Sequence, residues 1–245
     1  MVSWQEDISR WKEYYGFNRQ EFISGVVIAL VTGFLFSFRD WGTESFSLIA
    51  GVINLLLATI AALISIWFKL SCQKLYGLSE GYKVYFKPWW TGVGIAAVVA
   101  FVTFGRVPLL ILGTVSAVFM VRHRLGEFRY GYSHWNYCMI MYWGLMSHLI
   151  MAILFAIGLH FSPQNYFFNK GLWMNLIAGF CLMIPLPQMD GLNIWFGKSA
   201  LYYIGWVLLL LASVLLLTKT TFGLLFCITA GLTYAAIYML IGSEK

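Results

Sequence analysis

Met183-Ile184-Pro185-Leu186-Pro187-Gln188-Met189-Asp190-Gly191 is the stretch on which the reading of this chain turns. It closes an apolar run, Leu172 to Met183, and places one carboxylate where that run stops. Each proline lacks a backbone N–H and biases the residue before it toward extended geometry, so two of them two residues apart cannot continue a helix. The helix breaks there, and Asp190 lands on the break.

Composition says what surrounds that break. Of the 245 residues, 60% are hydrophobic and only 11% charged, and the mean hydropathy is +0.77. Soluble domains carry about 25% charged residues, and several runs here reach the roughly 20 apolar residues that cross about 30 Å of hydrocarbon. The chain therefore reads as an all-α polytopic membrane protein with membrane lipid as its first partner. Its net charge of +6 comes from Lys and Arg scattered over short loops, with no basic stripe, so nucleic acid is not expected. Cys72, Cys138, Cys181 and Cys227 show no C-x-x-C spacing and read as small buried hydrophobes. A charge at the bilayer centre costs about 2.5–3.5 kcal/mol on insertion scales, and less near the edge. Asp190 accordingly has two readings, a solvated cap on an edge turn or a carboxylate facing protein or trapped water.

Outward from the break, the chain divides into residues 1–20, a cytoplasmic or interfacial segment, and residues 21–245, a single transmembrane domain. Trp4, Trp11, Tyr14 and Tyr15 stand among charges in the first segment, the pattern of an interfacial helix and not of a cleavable signal peptide. Apolar runs follow at Phe22 to Phe38 and Phe46 to about Leu70, and a lysine-rich connection (Lys69, Lys74, Lys83, Lys87) leads to Pro88-Trp89-Trp90. Thr91 to Phe104 and Leu109 to Val121 are each too short for a full span, so they read as a short apolar hairpin, either tilted helices or a pair dipping into the membrane. Tyr137 to Leu159, the run ending at Met183, and two last spans at about 202–241 complete the expectation: about six full spans plus the hairpin.

Counting the hairpin as two crossings and placing both termini in the cytoplasm leaves only Arg39, Arg106, Lys170 and Lys219, of the sixteen Lys and Arg residues, outside. That distribution obeys the positive-inside rule. It also brings Lys69 and Asp190 to the same face, where they are expected to pair.

The order of features resembles the site-2 protease family of intramembrane zinc metalloproteases, and small archaeal members in particular. The resemblance rests on Lys74-Leu75-Tyr76-Gly77, on Trp143-Gly144-Leu145-Met146-Ser147-His148 where the family has a Gly-Pro helix, and on Pro185-Leu186-Pro187-Gln188-Met189-Asp190-Gly191, which matches the family's L-D-G break. It covers about residues 46–197 and implies a protease-like core with two C-terminal spans beyond it. In the family an H-E-x-x-H supplies two zinc ligands and a general base, and the aspartate of the break is the third ligand. Here that slot reads Ser65-Ile66-Trp67-Phe68-Lys69, Leu182 replaces an asparagine before the prolines, and Gly-Pro has become Gly144-Leu145.

Catalytic zinc needs three protein ligands, an open position for water and a carboxylate base. With Asp190 alone retained, Ile66 in the place of the base and the ammonium of Lys69 in the place of a ligand, zinc and catalysis are both expected to be absent. The expected polar cluster is Lys69, His148 and Asp190. His148 itself has two readings, a substitute ligand or proton carrier facing Asp190, or a core histidine held by a backbone carbonyl. His123 with Glu127 shows no ligand order, and Ser147-His148 are neighbours on a helix and make no dyad.

What the resemblance implies, with these departures, is a pseudoprotease of a prokaryotic plasma membrane. Its work would be to bind, scaffold or regulate another membrane protein or transmembrane segment. Two other readings stand beside it: an active metalloprotease with a rebuilt site, and a small transporter or subunit of a membrane complex.

Overall fold

Helices α2 (Arg19–Ser37) and α3 (Leu48–Ser79) form the first antiparallel pair. The computed structural model in which they are seen describes residues 4–42, 46–120 and 134–243. At the head of α2 the Glu21 carboxylate reaches back to accept from the Asn18 N–H at 2.8 Å, and at the head of α3 the Ser47 hydroxyl accepts from the Ala50 N–H. Both are side-chain caps for donors that a helix leaves unpaired in its first turn. The two helices approach closely because Gly33 packs directly on Thr59, and small residues let membrane helices close up.

A short helix α1 (Trp4–Tyr14) precedes this pair and lies against the end of α3. After α3 the chain forms strand β1 (Tyr82–Pro88), helix α4 (Trp90–Val102) and strand β2 (Gly113–Phe119). The strands pair antiparallel, with Tyr82 opposite Phe119, Phe86 opposite Val115 and Pro88 opposite Gly113. Along β1 the side chains of Tyr82, Val84 and Phe86 are buried while Lys83 and Lys87 point out, the period of two that a half-buried strand requires.

The second half contains α5 (His134–Phe161), α6 (Tyr166–Met183), α7 (Asp190–Gly197), α8 (Ser199–Leu217) and α9 (Thr221–Ser243). Gly158 of α5 packs on Phe168 of α6, and Gly171 of α6 packs on Phe155 of α5, so the two helices interlock reciprocally. Among the described residues, helices α2, α3, α5 and α8 are the four that are long and apolar enough to cross a membrane. Their exposed faces are aliphatic and aromatic, as with Ile49, Ile53, Leu56 and Ile60 on α3.

Polar contacts gather at two opposite ends. At one, Lys170 pairs with Asp40 at 2.6 Å, the Tyr166 hydroxyl donates to the same carboxylate at 2.7 Å, and Lys219 donates to Asn169. At the other, Arg10 donates to the Ser79 carbonyl and Lys74 to the Gly16 carbonyl. Lys170 and Lys219 thus sit apart from the lysines at the end of α3.

Three features depart from the sequence reading. The second arm of the short apolar hairpin, Leu109 to Val121, is not a helix; its described part ends in β2, so the largely helical chain also carries a two-stranded sheet. A short apolar run cannot be assigned to helix or strand by periodicity, and here the β-branched Thr114, Val115 and Val118 decide for a strand. Helix α3 also runs on through Lys69 and Lys74 to Ser79 where a loop is expected, because both lysines turn inward to buried carboxylates. And the chain re-forms a helix, α7, directly after the proline break. His123, Glu127 and the basic residues Arg122, Arg124 and Arg129 lie outside the described residues.

Candidate functional site

Ser65, Lys69 and Gln73 recur every four residues on α3 and therefore share one face of the helix. All three are buried. That face meets Asp190, which occupies the first turn of α7. One oxygen of its carboxylate, Oδ2, lies 3.1 Å from Lys69 Nζ and accepts from Gln73 Nε2 at 3.0 Å. The other, Oδ1, accepts from the Thr114 hydroxyl of β2 at 2.6 Å. Asp190 is 0% exposed and Lys69 3%, so the ion pair is cut off from water. A carboxylate in the first turn of a helix is also favoured by the helix dipole.

The break in the chain aims this carboxylate. Helix α6 ends at Met183, Ile184 is extended, and a turn over Leu186 to Met189, closed by the Met189 N–H on the Leu186 carbonyl at 3.1 Å, puts Gln188 at a left-handed φ of 66°. Gly191 then lets α7 start against the end of α6: a Cβ there would stand 2.5 Å from the Met183 carbonyl oxygen. Its contribution is close backbone approach, whereas the positive φ of the turn belongs to Gln188. Opposite, Gly144 of α5 makes the room. A Cβ at Gly144 would meet Gln73 Nε2 at 2.6 Å, Asp190 Oδ2 at 3.0 Å and Lys69 Cε at 3.0 Å. Four elements therefore converge on one carboxylate.

One turn further along α5, His148 belongs to a neighbouring chain of hydrogen bonds. Its Nδ1 lies 3.0 Å from Asn175 Oδ1, and the Asn175 amide donates at 2.8 Å both to Ser65 Oγ and to the Gly171 carbonyl. Ser65 in turn donates to the Ala61 carbonyl at 2.8 Å. The partner of His148 is therefore the side chain of Asn175, neither a backbone carbonyl nor Asp190. Ser147 turns to the Gly144 carbonyl at 2.6 Å, and Ile66 is buried in the apolar core.

Chemically, this is an ammonium-carboxylate pair supported by neutral donors. Asp190 is the one carboxylate in the cluster, and Lys69, with three donors and no acceptor, occupies its Oδ2. Ser65 is already bonded to Asn175 and Ala61, so its hydroxyl is neither paired with a base nor aimed at the carboxylate. Among the described residues no three His, Cys, Asp or Glu side chains come together in a way that holds a metal ion.

The structure thus brings Lys69 and Asp190 together and sets Ser65 and His148 into a second group bridged by Asn175. Gln73, Thr114 and Asn175 are participants that the sequence reading omits. Gln73 had a signal, being one turn beyond Lys69 on the same face. Asn175 had one too, as a lone amide in the middle of an apolar run. Thr114 had none, since only the strand brings it to Asp190. No family model, no curated protein and no solved structure matches this chain.

Proposed function

We propose that this chain is a catalytically degenerate, site-2-protease-like integral membrane protein, a pseudoprotease that binds, scaffolds or regulates another membrane protein. In this reading α6 and α9 supply the fifth and sixth crossings beside the four long apolar helices, residues 21–245 form one transmembrane domain, and residues 46–197 hold the protease-like core. The membrane is a prokaryotic plasma membrane, with both termini on the cytoplasmic side and the lysine-rich end of α3 facing inward.

The observation that carries the reading is the 3.1 Å contact between Lys69 and Asp190. Lys69 stands at the second histidine of the family's slot and Asp190 at its third ligand, so the contact joins two positions that the resemblance assigns to one metal. An ammonium there takes over the charge balance that a cation would provide, and it repels a divalent ion. Ser65, at the first histidine, bonds to Asn175 instead, and Ile66 has no atom to accept a proton. In the family this site serves a substrate groove, and without hydrolysis binding is the work left to it.

Purified protein reconstituted in liposomes with single-span test substrates checks this. No cleavage is expected, together with a stoichiometric membrane-protein partner on gentle purification. Cleavage that disappears in Asp190→Asn would replace the reading with an active protease, and substrate-dependent flux in the same liposomes would replace it with a transporter.

A further inference from the structure

Away from the Asp190 cluster, a cavity of about 430 Å³ opens between the end of α1, the head of α2, the last turns of α3 and β1. That size is ordinary for a small-molecule site. Helix α1 forms its roof and is fastened to α3: Arg10 and the Trp11 indole donate to Ser79, each at 3.2 Å, and the Tyr15 hydroxyl lies 2.8 Å from Ser71 Oγ. Its floor is a buried ion pair, Lys74 with Glu21 at 2.8 Å.

The floor needs no ligand. Lys74 also donates to the Gly16 carbonyl and lies 4.7 Å over the Phe17 ring, while Glu21 accepts from the backbone N–H groups of Asn18 and Phe86. With those two charges cancelled, the walls present one carboxylate, Glu13, and one ammonium, Lys83, both exposed to the cavity side. Lys83 Nζ lies 5.6 Å over the Tyr85 ring, and Tyr15 lines the cavity two residues beyond Glu13. Position supplies the rest of the argument. The cavity lies at the level where α2 begins and α3 ends, and both helices are long and apolar enough to cross a membrane. Headgroups of the bilayer occupy that level.

From this complementarity we infer that the cavity between α1 and β1 binds the headgroup of a zwitterionic phospholipid, with its phosphate on Lys83 and its ammonium on Glu13 and the Tyr15 ring. An anionic headgroup brings no positive group to face Glu13, and sites for such lipids are built from clustered bases. Aromatic rings beside a carboxylate suit an ammonium ion.

The test uses the full chain purified in a phosphate-free maltoside detergent and titrated calorimetrically with dioctanoyl phosphatidylethanolamine. Saturable binding is expected, weakened at least tenfold in Glu13→Gln and in Lys83→Gln. Both residues are exposed, and an unchanged thermal unfolding midpoint verifies that each variant is folded. Absence of saturable binding, or equal binding by folded variants, overturns the inference. Dioctanoyl phosphatidylglycerol binding as tightly overturns the zwitterionic assignment. Free phosphoethanolamine binding as tightly as the lipid overturns the membrane source in favour of a soluble phosphoamine.

Discussion

Two buried lysines five residues apart on α3 each hold a carboxylate, and they do so in opposite ways. Lys74 and Glu21 are wrapped in backbone: the Gly16 carbonyl, the Asn18 N–H and the Phe86 N–H all bond to one or the other. Lys69 and Asp190 are surrounded by side chains, Gln73 and Thr114, with Gly144 leaving the space. Backbone partners cannot be replaced by mutation, so the first pair is fixed to the path of the chain and acts as a rivet between the α1–α2 linker, α3 and β1. Side-chain partners can be exchanged one at a time without moving the backbone. The Asp190 cluster can therefore change its partners with the backbone in place, which the proposed descent from a metal centre would require.

The sharpest way to break this comparison is to remove each carboxylate. Breaking a buried pair costs about 3–5 kcal/mol, and Glu21→Ala is expected at about 5 because two backbone donors are stranded as well. Asp190→Ala is expected at about 3 kcal/mol, both read from reversible unfolding in mixed micelles. The decisive contrast lies in the double exchanges. Replacing both members of a buried pair with apolar residues is often neutral, so Lys69→Met with Asp190→Leu should return to within about 1 kcal/mol of wild type. Lys74→Met with Glu21→Leu should not recover, since Gly16, Asn18 and Phe86 keep their unpaired backbone groups. Equal recovery of the two doubles would erase the distinction.

Smaller effects sharpen the picture of the Asp190 side. Gly144→Ala inserts a methyl among Gln73, Asp190 and Lys69 and is expected to cost about 2 kcal/mol by overpacking. Thr114→Val removes one hydrogen bond to a charged group and should cost about 1.5 kcal/mol, with faster amide exchange along β2 as its local signature. Unchanged exchange in β2 would mean that the carboxylate does not hold the strand.

Much of this is legible in the sequence. The two prolines announce the break, and the pairing expected of Lys69 and Asp190 is present at 3.1 Å. The amphipathic N-terminal segment is indeed a helix, α1. The sheet is harder to read, although Tyr82-Lys83-Val84-Tyr85-Phe86-Lys87 alternates inward and outward side chains, because lysines beside aromatic rings have the composition of an interfacial connection. The end of α3 was placed too early for the same reason: a lysine in an apolar run reads as a span terminus until its buried partner is known. Glu21 offered no hint of its importance, since a glutamate three residues after Asn18 looks like an ordinary capping residue, and its second oxygen is claimed by a strand more than sixty residues away.

The central claim is that Lys69 occupies the place of a metal, and one measurement addresses it directly: zinc content of the purified, refolding-competent chain, wild type against Ser65→His/Lys69→His, after exposure to zinc and desalting. The expected result is no stoichiometric zinc in the wild type and about one ion per chain in the double variant, lost again when Asp190→Ala is added. One zinc per wild-type chain that depends on Asp190, or a folded double variant that takes up none, would contradict the account.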